Sequence, residues 1–273
     1  MHITLMGSGA ADGWPGLFCG CHVCANARKT KGKNLRTRTS GLINGVLKID
    51  FPPDILHQVI ASNYNLRCMK ALLFTHSHDD HFAPSELQYR GLHFLPEPIT
   101  DPLDIYGPEA VISVLQNRLD PELISFRLHT LVPWKTVTIL GEYEVTPILA
   151  QHDPSTTCFN FIIRDASGSA LLWASDTGWY HEETWTFLEG KKLTGMLVEC
   201  TKGMEEGGYM AHLCIPEVIK MRNKLHEMGC LPLDAPVVAT HFSHHAGMTH
   251  EELDLALSKN GIQAGYDTLQ FEV

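Results

Sequence analysis

No stretch of this sequence approaches the ~20 consecutive apolar residues needed to cross a bilayer as a helix, which excludes a helical membrane span. The opening residues, Met1-His2-Ile3-Thr4-Leu5-Met6-Gly7, lack both a basic n-region and a long apolar h-region, so no secretory signal is read there. Positive charge is scarce as well. Lys and Arg number 21 against 31 Asp and Glu, a formal net charge of -10, which excludes general electrostatic gripping of nucleic acid. Without an export signal the expected compartment is the cytoplasm. The eight cysteines are then reduced thiols or metal ligands rather than disulfides. Hydrophobic residues make up 44% and charged residues 19% of 273 positions, a composition that buries a core without covalent staples.

What is present is a concentration of metal-binding side chains. The apolar run Ala71-Leu72-Leu73-Phe74 stops abruptly at Thr75-His76-Ser77-His78-Asp79-Asp80-His81. A short apolar run ending in polar residues reads as a buried strand that delivers a loop. His76, His78, Asp80 and His81 form His-x-His-x-Asp-His, and imidazole with carboxylate suits zinc, manganese or iron. Four such ligands in one loop exceed what one tetrahedral ion takes from a single segment, so two adjacent metals are expected. The other reading is a solvated His-rich turn. Asp79, at the variable position, is expected in solvent.

This loop resembles the signature of the metallo-β-lactamase-fold hydrolases. The resemblance implies further ligands on short motifs downstream, and three are present: His152 after the run Tyr143 to Leu149, Asp176 after Leu171-Leu172-Trp173-Ala174-Ser175, and His241 after Val237-Val238-Ala239-Thr240. By the family pattern His76, His78 and His152 hold one metal and Asp80, His81 and His241 the other, with Asp176 bridging. Asp80 and His212 are the expected catalytic residues. The fold so implied is α/β, a four-layer αββα sandwich, whereas periodicity alone indicates only mixed α/β. Because the ligands run from residue 76 to residue 241 and must meet, one domain over 1–273 is expected. One departure is Phe51, where the family commonly has glycine after the aspartate of Ile49-Asp50.

A second cluster, Cys19-Gly20-Cys21-His22-Val23-Cys24, places three thiolates within reach of one ion. Zinc closed by a fourth ligand would staple the irregular segment at about 7–41. A redox pair from Cys21 and Cys24 would call for a thioredoxin-like βαβ context, which is missing. The cluster resembles one branch of the family, the phosphodiesterases of the carbon-phosphorus lyase pathway that cleave phosphoribosyl cyclic phosphate. That branch implies His244 as the fourth ligand, with His22 and His245 as local competitors. It also implies that His212, beyond the glycine-rich Lys202 to Gly208, handles the leaving group. The remaining cysteines, Cys68, Cys158, Cys200, Cys214 and Cys230, are read as small buried hydrophobes.

The activity implied is metal-dependent hydrolysis of a small, cyclic or open, phosphodiester, with two divalent metals and one structural zinc. Hydrolysis of lactones or thioesters, processing of RNA ends, and a protein like the pyrroloquinoline quinone biosynthesis protein B share parts of the pattern. A non-catalytic zinc-stabilised binding module is the reading from another class. The expected partner is a small anionic substrate, with neither membrane nor nucleic acid, and a homodimer is left open. The basic run Arg28 to Arg38 is read either as a solvated loop or as a contact for that substrate.

Strands are expected at 2–6, 42–50, 71–74, 103–106, 124–131, 136–140, 142–149, 157–164, 170–174 and 195–199. Helices are expected at 54–62, 84–90, 109–119, 181–188 and 215–228.

Overall fold

The structure, a computed structural model, describes residues 1–208 and 210–273. In chain order the elements are β1 (His2–Gly7), α1 (His22–Thr30), β2 (Ser40–Ile43), β3 (Leu47–Ile49), α2 (Ile55–Ser62), β4 (Ala71–Leu73), β5 (Leu103–Gly107), α3 (Glu109–Arg118) and β6 (Phe126–Thr130). The second half adds β7 (Val137–Ile139), β8 (Tyr143–Leu149), β9 (Phe159–Arg164), β10 (Ala170–Ala174), α4 (Glu182–Leu188), β11 (Gly195–Glu199), α5 (Ile215–Glu227), β12 (Val237–Thr240), α6 (His250–Ser258), β13 (Gln263–Ala264) and β14 (Leu269–Glu272).

Two sheets of seven strands result, in the orders β14-β1-β2-β3-β4-β5-β6 and β13-β12-β11-β10-β9-β8-β7. The last strand, β14, returns to pair antiparallel with β1 and so joins the chain's end to the first sheet. The apolar residues separate into three layers by the period of two that a strand imposes. On β10, Leu171 and Trp173 enter the core between the sheets, together with Leu5, Ile49, Leu73 and Phe161. Leu172 and Ala174 of the same strand face the opposite way, onto α1, α4, α5 and α6 through Val23, Trp185, Val218 and Leu253. The outer face of the first sheet is covered by α2 and α3 through Ile55, Val111 and Leu115. This is the four-layer αββα sandwich. Sheets buried on both faces read as near-continuous apolar runs, which is why Ala-Leu-Leu and Ala-Leu-Leu-Trp-Ala carry no polar alternation. The sheets approach closely enough at Gly41 that a Cβ there would fall 2.2 Å from the Trp173 indole.

Several expectations need correction. The stretch 42–50 is two strands, because Asn44 and Gly45 both take positive φ and turn β2 into β3. The segment 7–41 is not irregular throughout: it contains α1, whose Val23, Cys24 and Ala27 are buried. Helix α6 and strands β13 and β14 were not anticipated. Cys68 is exposed, whereas Cys158, Cys200, Cys214 and Cys230 are buried as expected. Among the described residues no helix is long and apolar enough to cross a membrane.

Candidate functional site

Each candidate ligand sits just beyond a strand. β4 delivers His76, His78, Asp80 and His81; β8 delivers His152; β10 delivers Asp176; β12 delivers His241. Asp50, Asp176 and His241 take φ of 56°, 50° and 56°. A non-glycine residue in this left-handed region costs on the order of 1–3 kcal/mol and persists where surrounding contacts over-determine it. Each of the three lies within two residues of the end of its strand, β3, β10 or β12, so the left-handed residue falls where the backbone leaves the sheet.

The side chains converge as two sets, His76, His78 and His152, and Asp80, His81, Asp176 and His241. Within each set the ligand atoms lie within 4.8 Å of one another. Asp176 faces both. Its Oδ2 is 3.9 Å from His76 Nε2 and 3.7 Å from His152 Nε2, while its Oδ1 is 3.2 Å from His81 Nε2 and 3.1 Å from His241 Nε2. Asp80 Oδ2 completes the second set at 3.3 Å from His81 Nε2 and 3.6 Å from His241 Nε2. Among the described residues, His76 Nε2, His81 Nε2 and His241 Nε2 are buried without a hydrogen-bond partner. Buried polar nitrogens are normally satisfied. Three of them aimed at one carboxylate fit a divalent cation.

The other ring nitrogens explain that aim. His81 Nδ1 donates to Asp50 Oδ2 at 2.7 Å. Asp50 also accepts from the Thr75 amide and hydroxyl, and the Thr75 hydroxyl takes His76 Nδ1 at 3.0 Å. His78 Nε2 donates to Asp153 Oδ2 at 2.9 Å, and its Nδ1 lies 3.1 Å from His152 Nε2. The Thr201 hydroxyl receives His241 Nδ1 at 2.8 Å and donates to Glu199 Oε2 at 2.7 Å. Such outer partners set the tautomer and ring orientation that a metal requires. Sequence reasoning missed Asp50, Asp153, Glu199 and Thr201. The available signal was a carboxylate ending an apolar strand, as Asp50 follows β3 and Glu199 closes β11. The departure at Phe51 is accommodated: Phe51 is buried, and its amide donates to the His81 carbonyl at 2.8 Å, tying the Asp50 turn to the ligand loop.

Ionisation follows the same geometry. Burial pushes His76 well below and His152 below the ordinary histidine value. Asp176, despite burial, is held well below the carboxylate range by His241 and His81. Asp80, also against its burial, is lowered by His81 and by its contact with His241. At His81, burial is outweighed by the Asp176, Asp80 and Asp50 carboxylates, which raise its pKa well above the ordinary histidine value; a metal binds the neutral ring beside ionised carboxylates, so a cation there would take the place of that proton. Asp79 is exposed, as expected.

A cleft of about 410 Å³ opens over this cluster, lined by His78, Asp80, His152, Asp176, His212 and His241 and by the Ala10 to Asp12 segment. His212 stacks on His241 with ring centroids 5.5 Å apart, and its Nδ1 donates to Glu199 Oε1 at 2.6 Å. Burial alone would lower its pKa; the adjoining Glu199 carboxylate reverses this and raises it to about 9.

The cysteine cluster forms apart from this. Ligand atoms of Cys19, Cys21, Cys24 and His244 lie within 4.8 Å of one another. His244 Nδ1 is 3.9 Å from Cys21 Sγ, and its Nε2 is turned to Asp12. A Cβ on Gly16 would come 2.5 Å from His244, so glycine permits the ring to close on the thiols. The competitors lie elsewhere: His22 Nε2 reaches the Gly247 carbonyl at 3.2 Å, and the His245 side chain is 79% exposed. Three sulfurs and one imidazole suit zinc.

The basic run does not enter the catalytic cleft. Arg36 is buried between Trp14 and Phe242 and donates to Ser8 Oγ and the Gly265 carbonyl. Arg38 pairs with Asp54 at 2.9 Å, and Lys33 lies over Tyr266.

Comparison with known proteins agrees with this architecture. The chain is similar over its full length to crystal structures of a diphosphatase from the PhnP family (20% identity, TM-score 0.76, covering 97% of that chain) and of Zn(2+)-bound PqqB from Methylobacterium extorquens (16%, TM-score 0.76, 100%). The human tRNase Z short form is also similar over the full length (16% identity, TM-score 0.69, covering 99% of that chain). At these identities the likeness is one of fold. A curated protein, octanoyltransferase from Porphyromonas gingivalis, is 25% identical over 283 residues, covering 99% of this chain and 51% of the relative. The chain thus spans about half the length of that relative. Residues 43–242 match the family described as the beta-lactamase superfamily domain, a span that includes every histidine and aspartate of the two converging sets. By that match the chain belongs to the beta-lactamase superfamily.

Proposed function

We propose that the protein hydrolyses a small anionic phosphodiester. In this reading His76, His78 and His152 hold one divalent ion, Asp80, His81 and His241 hold a second, and Asp176 contacts both. Zinc, manganese or iron suits this donor set, and zinc suits Cys19, Cys21, Cys24 and His244. Two such ions, when bound, would supply Lewis acidity and would make water nucleophilic near neutral pH. The chain's residues do the rest. Asp50, Asp153, Thr201 and the Ala211 carbonyl, 3.3 Å from His152 Nδ1, hold the imidazoles in place.

The observation that carries the phosphodiester reading is the Glu199–His212 pair at the cleft. A carboxylate 2.6 Å from Nδ1 keeps the ring protonated beside the reacting centre, where it can give a proton to an alkoxide leaving group. A thiolate leaving group gains little from such a donor. Among proteins of similar fold are a diphosphatase and a tRNase, in keeping with attack at phosphorus. A second reading, hydrolysis of an acyl thioester, is favoured by the relative named octanoyltransferase. The chain is proposed to act as one domain in the cytoplasm. The test is turnover by the metal-reconstituted protein of cyclic and linear phosphodiesters against lactones and acyl thioesters. Preference for the acyl substrates by more than tenfold in kcat/KM would overturn the phosphodiester assignment.

A further inference from the structure

The cysteine cluster and the catalytic cleft meet at one side chain. The buried His244 ring presents a nitrogen to each: Nδ1 lies 3.9 Å from Cys21 Sγ, and Nε2 meets Asp12 Oδ2. Asp12 in turn lines the cleft together with Ala10, Ala11, Asp80, Asp176 and His241. Ser243 and His245, the residues on either side of His244, line the same cleft. A short turn over His244–Ala246, in which Ser243 Oγ accepts from the His245 amide at 3.1 Å, holds these two at the cleft while the His244 ring is turned to the thiols.

The two ends of the His244–Asp12 contact differ in freedom. The imidazole packs directly on Gly16, where a Cβ would come 2.5 Å from Nε2. The backbone of the Ala10–Asp12 wall is also tied down, since the Ala10 amide donates to the Phe242 carbonyl and Arg38 Nε to the Ala11 carbonyl, each at 3.0 Å. The Asp12 carboxylate is different. Its side chain is 37% exposed, and among the described residues its ion-pair contacts are all made by Oδ2, to His244 and, at 3.6 Å, to the exposed His245. Released from His244, it can rotate into the cleft it lines, where its charge repels an anion.

We propose that Asp12 is a positioning residue that couples the cysteine–histidine site to the catalytic cleft. A neutral histidine that binds a cation through Nδ1 carries its proton on Nε2, and the acceptor behind that proton fixes the ring. Here the acceptor is itself part of the cleft wall, so the restraint runs both ways. With the cysteine site filled, His244 Nε2–H holds the Asp12 carboxylate to the wall and keeps the cleft open to an anion. That the anion is a phosphodiester rests on the function proposed above; the coupling of the two sites does not.

The test places cobalt in the cysteine set, where its thiolate charge-transfer absorption reports on that site alone, and keeps the histidine–aspartate set filled with excess manganese. A chelator then competes for the cobalt with and without inorganic phosphate. Asp12→Ala should hold cobalt about 10- to 100-fold more weakly than the parent, whereas Asp12→Asn, which keeps an oxygen to accept from Nε2, should restore most of that loss. Phosphate should raise cobalt affinity in the parent by about fivefold or more, and by linkage cobalt should tighten phosphate binding by the same factor. Both effects should vanish in Asp12→Ala, whose KM for a phosphodiester should rise more than its kcat falls. Cobalt affinity unchanged in Asp12→Ala would overturn the inference. Weakened cobalt in that variant, with phosphate bound by the parent but without effect on its cobalt, would overturn it too, leaving Asp12 as a support for the metal alone. If the parent binds no phosphate, the phosphodiester reading falls instead. The coupling is then read from the acyl substrate that the protein does hydrolyse: cobalt affinity raised by that substrate in the parent and not in Asp12→Ala supports it, and no change overturns it.

Discussion

The histidine–aspartate centre and the cysteine–histidine centre are both announced by short motifs, yet they are built differently. The first gathers seven side chains from four strand ends, has carboxylates and hydroxyls behind most of its rings, and lies under an open cleft. The second gathers three thiols from six consecutive residues around the start of α1 and one histidine from the loop after β12, and Cys24 and His244 are buried. Hard, mixed ligands under open space suit chemistry; soft ligands closed on themselves suit fastening. Asp12 joins the two regions, since it contacts His244 on one side and lines the cleft on the other.

The sharpest way to break this division is at Asp176. Asp176→Ala removes a carboxylate that faces both histidine sets, and activity should fall by more than the roughly 100-fold that loss of an orienting partner costs. Its melting temperature should stay near that of the parent, because the core strands are untouched. Near-parental turnover in metal-replete Asp176→Ala would contradict the two-metal arrangement.

His212→Ala tests the same centre from the cleft side. A general acid contributes about 10² to 10⁴ in rate, so alkyl phosphodiesters should be slowed by that range and nitrophenyl esters much less, with metal content unchanged. Since the folded pKa is raised to about 9, the donor is present below that value and is lost as pH rises through it. The parent's rate should decline above about pH 9, and the variant should lack that limb. Equal slowing of both ester types would point to phosphate positioning instead.

At the other centre the effect should be on stability. Cys24→Ser should lower bound zinc by one equivalent and the melting temperature by roughly 5–10 °C, at the about 2–4 °C per kcal/mol typical of chains somewhat shorter than this one. Mild chelation of the parent should strip the histidine–aspartate set first. Simultaneous loss of all metal would erase the distinction between the two regions.

The smallest effect concerns Lys48, fully buried in β3, whose Nζ donates to the Asp50 and Ile49 carbonyls at 2.7 and 3.1 Å and so braces the left-handed Asp50 turn. Burial lowers its pKa from 10.5 to about 7. Between those values the unfolded chain binds the proton and the folded chain does not, so Lys48 makes stability rise with pH, by at most about 1.4 kcal/mol per unit. Denaturant melts of Lys48→Met from pH 7 to 10 should show a flatter slope than the parent; an identical slope would return the buried amine to a permanently charged state.

By itself the sequence determined the four places where an apolar run ends in a histidine or aspartate, the cysteine cluster, and most strands and helices, because each is a pattern over fewer than about fifteen residues. The start of α6 was equally local, a Thr249–Glu252 capping box, and was passed over. Helix α1 carries no side-chain cap at its start, and its identity comes from packing Val23 and Ala27 onto the second sheet. Thr75 behind His76 is a sequence neighbour, but only the tertiary structure decided which group stands behind the others: Asp50 behind His81, Asp153 behind His78, Thr201 and Glu199 behind His241. Those partners lie 31 to 75 residues apart in sequence. No local periodicity relates residues at such separations. They meet because two twisted sheets, packed face to face, bring their strand ends to one edge, where a carboxylate or hydroxyl left in the wrong place would be buried without a partner.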